Sequence, residues 1–179
     1  MEYLAAVKKP FENPDIYLTL SIMSWIPVAN IYVAGYLLDF CAGRKFEGRK
    51  MVQRFVLGSQ FVALLVVYLF LPILAWYLVR FSAGAIIALL ELPPFSLSVY
   101  ELARNNLDSA LDMGVLKKAF SPEYLQALAK ALVATFVSLV VHALIPVVGW
   151  VGILYGPSST FMHVMGKEYS TEQSLKFNS

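Results

Sequence analysis

The sequence predicts an all-α fold: a polytopic helical membrane protein with broken or re-entrant hairpins and one amphipathic interfacial helix. Three observations carry this. Residues 55–79, between Arg54 and Arg80, run for 25 positions without a formal charge. At about 1.5 Å rise per residue, roughly 20 apolar residues cross a bilayer core of about 30 Å. Hydrophobic residues make up 59% of the chain and charged residues 15%, against about 45–50% and about 25% in soluble domains. The apolar stretches are also separated by helix-capping words and by loops that hold most of the Lys and Arg.

A chain of 179 residues leaves little protein to surround a helix like 55–79, so lipid is the expected surround. The length fits one integral membrane domain over 1–179. A net charge of +2 is too small to argue for a nucleic-acid partner. Cys41 is the single cysteine and has no internal disulfide partner. Residues 1–14 hold Glu2, Lys8, Lys9 and Glu12 and lack an apolar core, so they are not expected to act as a cleavable signal.

In the N-terminal part, 1–43, residues 2–9 read as a short interfacial helix. Asn13-Pro14-Asp15 is a helix start: Asn caps, Pro suits the first helical position, and Asp favours the positive end of the helix dipole. The apolar run 16–40 is broken at Ile26-Pro27-Val28-Ala29-Asn30, where proline removes a backbone donor. The break allows one kinked span or a hairpin of two short helices, 15–25 and 30–42. Each arm is short for a full span, which favours the hairpin.

Arg44, Lys45, Arg49, Lys50 and Arg54 follow, opposed only by Glu47. The bias of Lys and Arg in short loops places this segment in the cytoplasm. Its plain role is solvated charge that sets topology. The sharper reading is contact with anionic lipid or a partner. The central part, 55–100, holds the clear span 55–79, with Pro72 inside it, and a small-residue-rich stretch, 82–92. Pro93-Pro94 is expected to end that stretch, and 95–100 to complete a return. Ser98-Val99-Tyr100-Glu101 fits a capping box opening an amphipathic helix over 99–120 (domain segment 101–120). Its stripe is Val99, Ala103, Leu107, Leu111 and Val115, and it is expected to lie on the membrane or on a neighbouring subunit.

Ser121-Pro122-Glu123 starts the C-terminal hairpin, 122–166. Residues 124–145 form a span ended by Pro146. Residues 147–155 and 158–165 form the last apolar region, interrupted at Gly156-Pro157, and 167–179 is a polar tail. With 44–54 inside, 55–79 leads out, 82–100 returns, 124–145 leads out and 147–165 returns. Nearly every Lys and Arg is then cytoplasmic, Arg80 excepted, and both termini lie inside a cell membrane.

The break at Ile26-Pro27-Val28-Ala29-Asn30, followed by Gly35-Tyr36, has a counterpart in Ile145-Pro146-Val147-Val148-Gly149, followed by Leu154-Tyr155-Gly156. Either this is an internal repeat of hairpins, as in many carriers, or apolar helix ends converge on the same short words. The first of these words, with Pro10-Phe11-Glu12-Asn13-Pro14 before it and Gly35-Tyr36-Leu37-Leu38 after it, resembles the opening of an uncharacterised prokaryotic membrane-protein family common in archaea. The resemblance covers 10–39 and beyond that only general hydropathy. Members continue with a Leu-Pro-Glu-Trp-like segment that 43–54 lacks. The resemblance implies a multi-spanning helical fold in an archaeal plasma membrane and carries no activity, cofactor or catalytic residue.

No residue constellation points to catalysis. His142 and His163 are the only histidines, Cys41 is the only other soft ligand, and neither His163 nor Cys41 has a neighbour at ligand spacing, so no metal or cofactor is expected. Glu91 is an ionisable group in an apolar stretch, a functional candidate by default, or else a helix-end residue at the headgroups before Pro93-Pro94. Asp39 is expected to pair with Arg44 or Lys45. Gln60 is placed to hydrogen-bond across helices, beside the small residues Gly58, Ser59 and Ala63. His142 is a third polar group inside an apolar helix. Trp25, Trp76, Trp150 and ten tyrosines fit interfacial anchoring. The composition therefore points to a non-catalytic accessory subunit contacting lipid and other membrane subunits, in a hetero-complex or homo-oligomer. The alternative is a small oligomeric carrier or channel for an ion or small solute.

Overall fold

The computed structural model describes residues 2–44, 50–145 and 147–177, and for 2–4, 148 and 171–177 it describes the backbone alone. Its regular structure is helical, with no strand among the described residues. Helix α1 (Glu2–Lys8) and a 3-10 turn (Lys9–Glu12) lead into α2 (Pro14–Ser24) and α3 (Pro27–Cys41). The long pair α4 (Met51–Leu78) and α5 (Phe81–Arg104) follows, then the short α6 (Leu107–Ala110) and α7 (Met113–Ala119). The chain closes with α8 (Pro122–Leu144), the single turn α9 (Val148–Val151) and α10 (Tyr155–Phe177). Three of these, α4, α5 and α8, are long and apolar enough to cross a membrane.

The start signals form as the residues dictate. Asn13 accepts a hydrogen bond from the Ile16 amide, with Pro14 first in α2. Ser121 accepts from the Tyr124 amide, with Pro122 first in α8. The first apolar run is a hairpin of two short helices, separated at Trp25 and Ile26. Successive helices pair antiparallel. Trp76 meets Phe81 and Phe61 meets Phe95 along α4–α5. Lys130 meets Glu168 and Ser138 meets Thr160 along α8–α10. The core gathers Leu38, Leu97, Leu102, Tyr100, Tyr124 and Met165 from α3, α5, α8 and α10.

Three expectations are corrected. Pro93-Pro94 does not end a helix, and α5 runs through both prolines from Phe81 to Arg104. Proline removes a helical donor and its ring crowds the preceding turn, but neighbouring helices and side-chain hydroxyls sustain helices through proline in apolar surroundings. Here α4 packs along the same stretch, and Ser96 adds hydroxyl bonds to the Leu92 and Pro93 carbonyls just past the break. Ser98 consequently caps nothing. It sits buried inside α5 and donates to the Ala110 carbonyl at 2.7 Å.

The continuous amphipathic helix over 99–120 does not form. That segment holds the end of α5, then α6 and α7. Asn106 accepts from the Ser109 amide and Asp112 from the Gly114 amide, so two Asx side chains restart the helix in place of continuing it. Val99, Ala103 and Val115 of the expected stripe are buried in the chain's own core, and Leu111 is exposed. Finally, α10 carries Gly156-Pro157 in its first turn, where proline is tolerated, and runs on through the polar sequence to Phe177. Pro146 lies outside the described residues.

At the α3–α4 crossing two helix backbones come into direct contact. A Cβ on Gly35 would collide with the Arg54 carbonyl, and one on Gly58 with the Ile31 carbonyl. Two glycines therefore bring the backbones together, the small-residue device of membrane helix pairs. Gly58→Leu is expected to destabilise the fold by at least the roughly 1–3 kcal/mol typical of overpacking. Ala63→Leu, on the exposed side of α4, is expected to be close to neutral. Thermal unfolding of the detergent-purified proteins measures both.

Candidate functional site

Arg54 was a candidate for lipid or partner contact, and the fold gives it another role. Its side chain is 4% exposed, and that of Asp39 is 3% exposed. Arg54 Nε donates to Asp39 Oδ2 at 3.2 Å, and its Nη1 donates to the Tyr32 hydroxyl at 3.2 Å. Its guanidinium lies over the Tyr36 ring, 5.5 Å from the centroid. The glycine crossing draws α4 so close to α3 that the first turn of α4 delivers Arg54 onto the last turn of α3. Arg44 completes the cluster at 3.4 Å from the other Asp39 oxygen, the pairing expected from the sequence, and donates to the Arg104 carbonyl. Lys50 is exposed, and its amide donates to the Gln53 side chain at the start of α4. Lys45 and Arg49 lie outside the described residues.

Beside this cluster Cys41 is buried, in the last turn of α3 and outside the three candidate spans. Burial pushes its thiol up to about 12, so the thiolate is scarce in the folded protein.

Glu91 sits midway along α5 and not at a helix end. One carboxylate oxygen, Oε2, is sealed from solvent without a hydrogen-bond partner among the described residues. It belongs to a cleft of about 170 Å³ lined by Leu65, Tyr68, Leu69, Pro72, Ala88 and Phe95. Gln60 is half-buried on α4 and makes no cross-helix hydrogen bond among the described residues. Ser59 instead bonds its own helix at the Phe55 carbonyl.

His142 is fully buried near the end of α8. Its Nδ1 lies 2.7 Å from the Ser138 carbonyl, so Nδ1 carries the proton and donates. Phe11 stacks on the ring at 5.0 Å. Nε2 is buried against Gly156, where a Cβ would collide with it. This histidine is a packing element that joins the N-terminal turn to α8 and α10. His163 is half-buried against Phe40.

Sequence reasoning found the two repeated words but not their meeting. Each places a tyrosine nine residues after its proline, Tyr36 after Pro27 and Tyr155 after Pro146. These two rings contact each other at 6.4 Å, and Trp25 Nε1 donates to the Val151 carbonyl across the two breaks. A second pairing that sequence did not signal is that of hydroxyls: Tyr124 with Ser96 at 2.6 Å, and Tyr68 with Ser98 at 2.8 Å. Because Ser96 and Ser98 each donate to a carbonyl, the tyrosines are the donors in these bonds.

Chemically, these groups clamp helices together. No three His, Cys, Asp or Glu side chains converge among the described residues. No family model, curated protein or solved structure matches the chain.

Removing one partner of a buried ion pair leaves an uncompensated charge, at a cost of about 3–5 kcal/mol. Asp39→Asn and Arg54→Leu are each expected to destabilise by that order, and the double variant Asp39→Leu, Arg54→Leu by less than either. Reversible unfolding in mixed micelles compares the three. At pH 8, maleimide labelling of Cys41 is expected to be roughly tenfold or more slower in the folded protein than after unfolding in SDS, since only the thiolate reacts.

Proposed function

We propose that this chain is a non-catalytic integral subunit of a cell-membrane complex, held in the bilayer by α4, α5 and α8 and packed against other membrane subunits. The observation that carries this reading is the uncovered surface of α4. Only 11% of its most apolar 18-residue stretch is buried inside the chain. Val66, Val67, Phe70, Ile73, Trp76 and Leu78 remain exposed, and soluble monomers rarely leave so large an apolar face in water. A helix this apolar needs lipid or partner helices on most of its circumference.

Two further features support the reading. The polar groups that the fold buries are mostly spent on one another, in the Asp39–Arg54 pair and the Tyr–Ser bonds, which suits a scaffold. Arg44, Lys50 and Arg104 gather where α3 ends, α4 begins and α5 ends. By the bias of basic residues toward the cytoplasm, that end of the α4–α5 hairpin faces inward, and both termini are assigned to the same side. A second reading, an oligomeric carrier or channel for an ion or small solute, is favoured by Glu91 in mid-helix.

Under alkaline carbonate extraction the protein is expected to stay with the membrane. After crosslinking in native membranes and mild solubilisation, it is expected to migrate with other membrane polypeptides. Release by carbonate overturns the membrane assignment. Migration as a lone monomer after crosslinking overturns the subunit role.

A further inference from the structure

The α4–α5 cleft holds a carboxyl in a setting that offers it no donor. Glu91 Oε2 is sealed and unpartnered among the described residues. Apart from the Tyr68 hydroxyl, the cleft lining is apolar, and that hydroxyl is committed to Ser98. Pro72 of α4 lines the cleft, and Pro93 and Pro94 follow Glu91 closely on α5. Each lacks an N–H, so the carbonyls of Tyr68, Leu89 and Leu90 lose their usual helical donor. The backbone near Glu91 is therefore enriched in acceptors.

Among the described residues no cation compensates the carboxyl. Helices α3, α4, α6, α7 and α8 pack against α5, and of their titratable groups Tyr68 alone lines the cleft. Tyr124 of α8 is bonded to Ser96, more than one turn away. Arg54 is paired with Asp39, and Arg80 lies exposed at the hairpin turn, three helical turns from Glu91. An unpaired carboxylate in an apolar, acceptor-rich cleft is costly. The neutral acid removes the charge and supplies the missing donor as its O–H.

We propose that Glu91 is a proton-binding site within the membrane, taking up and releasing a proton through the open side of the α4–α5 cleft. The site rests on the membrane placement of α4 and α5, and it stands whether the chain is a scaffold or a carrier. In the scaffold, protonation would couple the hairpin to pH. In a carrier, it would be the coupling step.

The test is carbodiimide modification in native membranes, because carbodiimides add to the protonated carboxyl. Dicyclohexylcarbodiimide, which partitions into lipid, is expected to modify Glu91, as read by mass spectrometry of its peptide. The rate is expected to fall about tenfold per pH unit once the acid ionises and to be unaffected by sodium at fixed pH. A water-soluble carbodiimide is expected to react at least tenfold more slowly. Glu91→Gln is expected to abolish the product, and Glu91→Asp to retain it. Absence of the product, protection by sodium, or equal reaction with the water-soluble reagent overturns the proposal. Carbonate extraction of the same membranes separates the two failures: a chain that resists extraction but escapes the apolar reagent loses the proton site alone.

Discussion

The arrangement depends on one ion pair in an unusual place. Asp39 and Arg54 are both almost fully buried, and each sits on an apolar helix. Neither charge is tolerable alone in such surroundings, so α3 and α4 have one acceptable register. Gly35 and Gly58 remove the side chains that would hold the backbones too far apart for the pair to close. Tyr32 and Arg44 take up further hydrogen-bonding capacity. The α3–α4 corner is thereby set, and α5 and α10 pack on α3 from there.

From this corner the chain divides by how much of itself it covers. Helices α3 and α10 lie against several neighbours, and α8 and α10 interlock through Lys130–Glu168, Ser138–Thr160 and the His142–Gly156 contact. The far half of the α4–α5 hairpin covers almost nothing but itself. Its own contacts are Gly84 against the Pro72 carbonyl and Phe81 against Trp76. This uncovered hairpin thus also contains the sealed, unpartnered carboxyl oxygen of Glu91.

Much of this was legible in the residues, and the failures share a cause. Asn13-Pro14 and Ser121-Pro122 act locally: a side-chain oxygen reaches an amide three residues away, whatever surrounds it. The 25 uncharged residues before Arg80 report on the solvent, which is equally direct. The pairing of Asp39 with Arg44 followed from proximity in the chain, and the hairpin from arms too short to span. Pro93-Pro94 and Ser98 misled because their meaning depends on neighbours. The stop signal assumes a helix without neighbours, and the capping signal assumes a free helix end, yet α4 packs along this stretch and the Ala110 carbonyl takes the Ser98 hydroxyl. Arg54 was misassigned for the same reason, since its partner on α3 is visible only once the two glycines are seen to face each other. The Asn106 and Asp112 restarts were readable, but a strong four-residue periodicity masked them.

The ion pair also bears on how the protein is made. Asp39 leaves the ribosome first, and Arg54 follows 15 residues later. Joining them closes only a short loop, at a small entropic cost, so the α3–α4 corner can form before the helices that pack on it have been made.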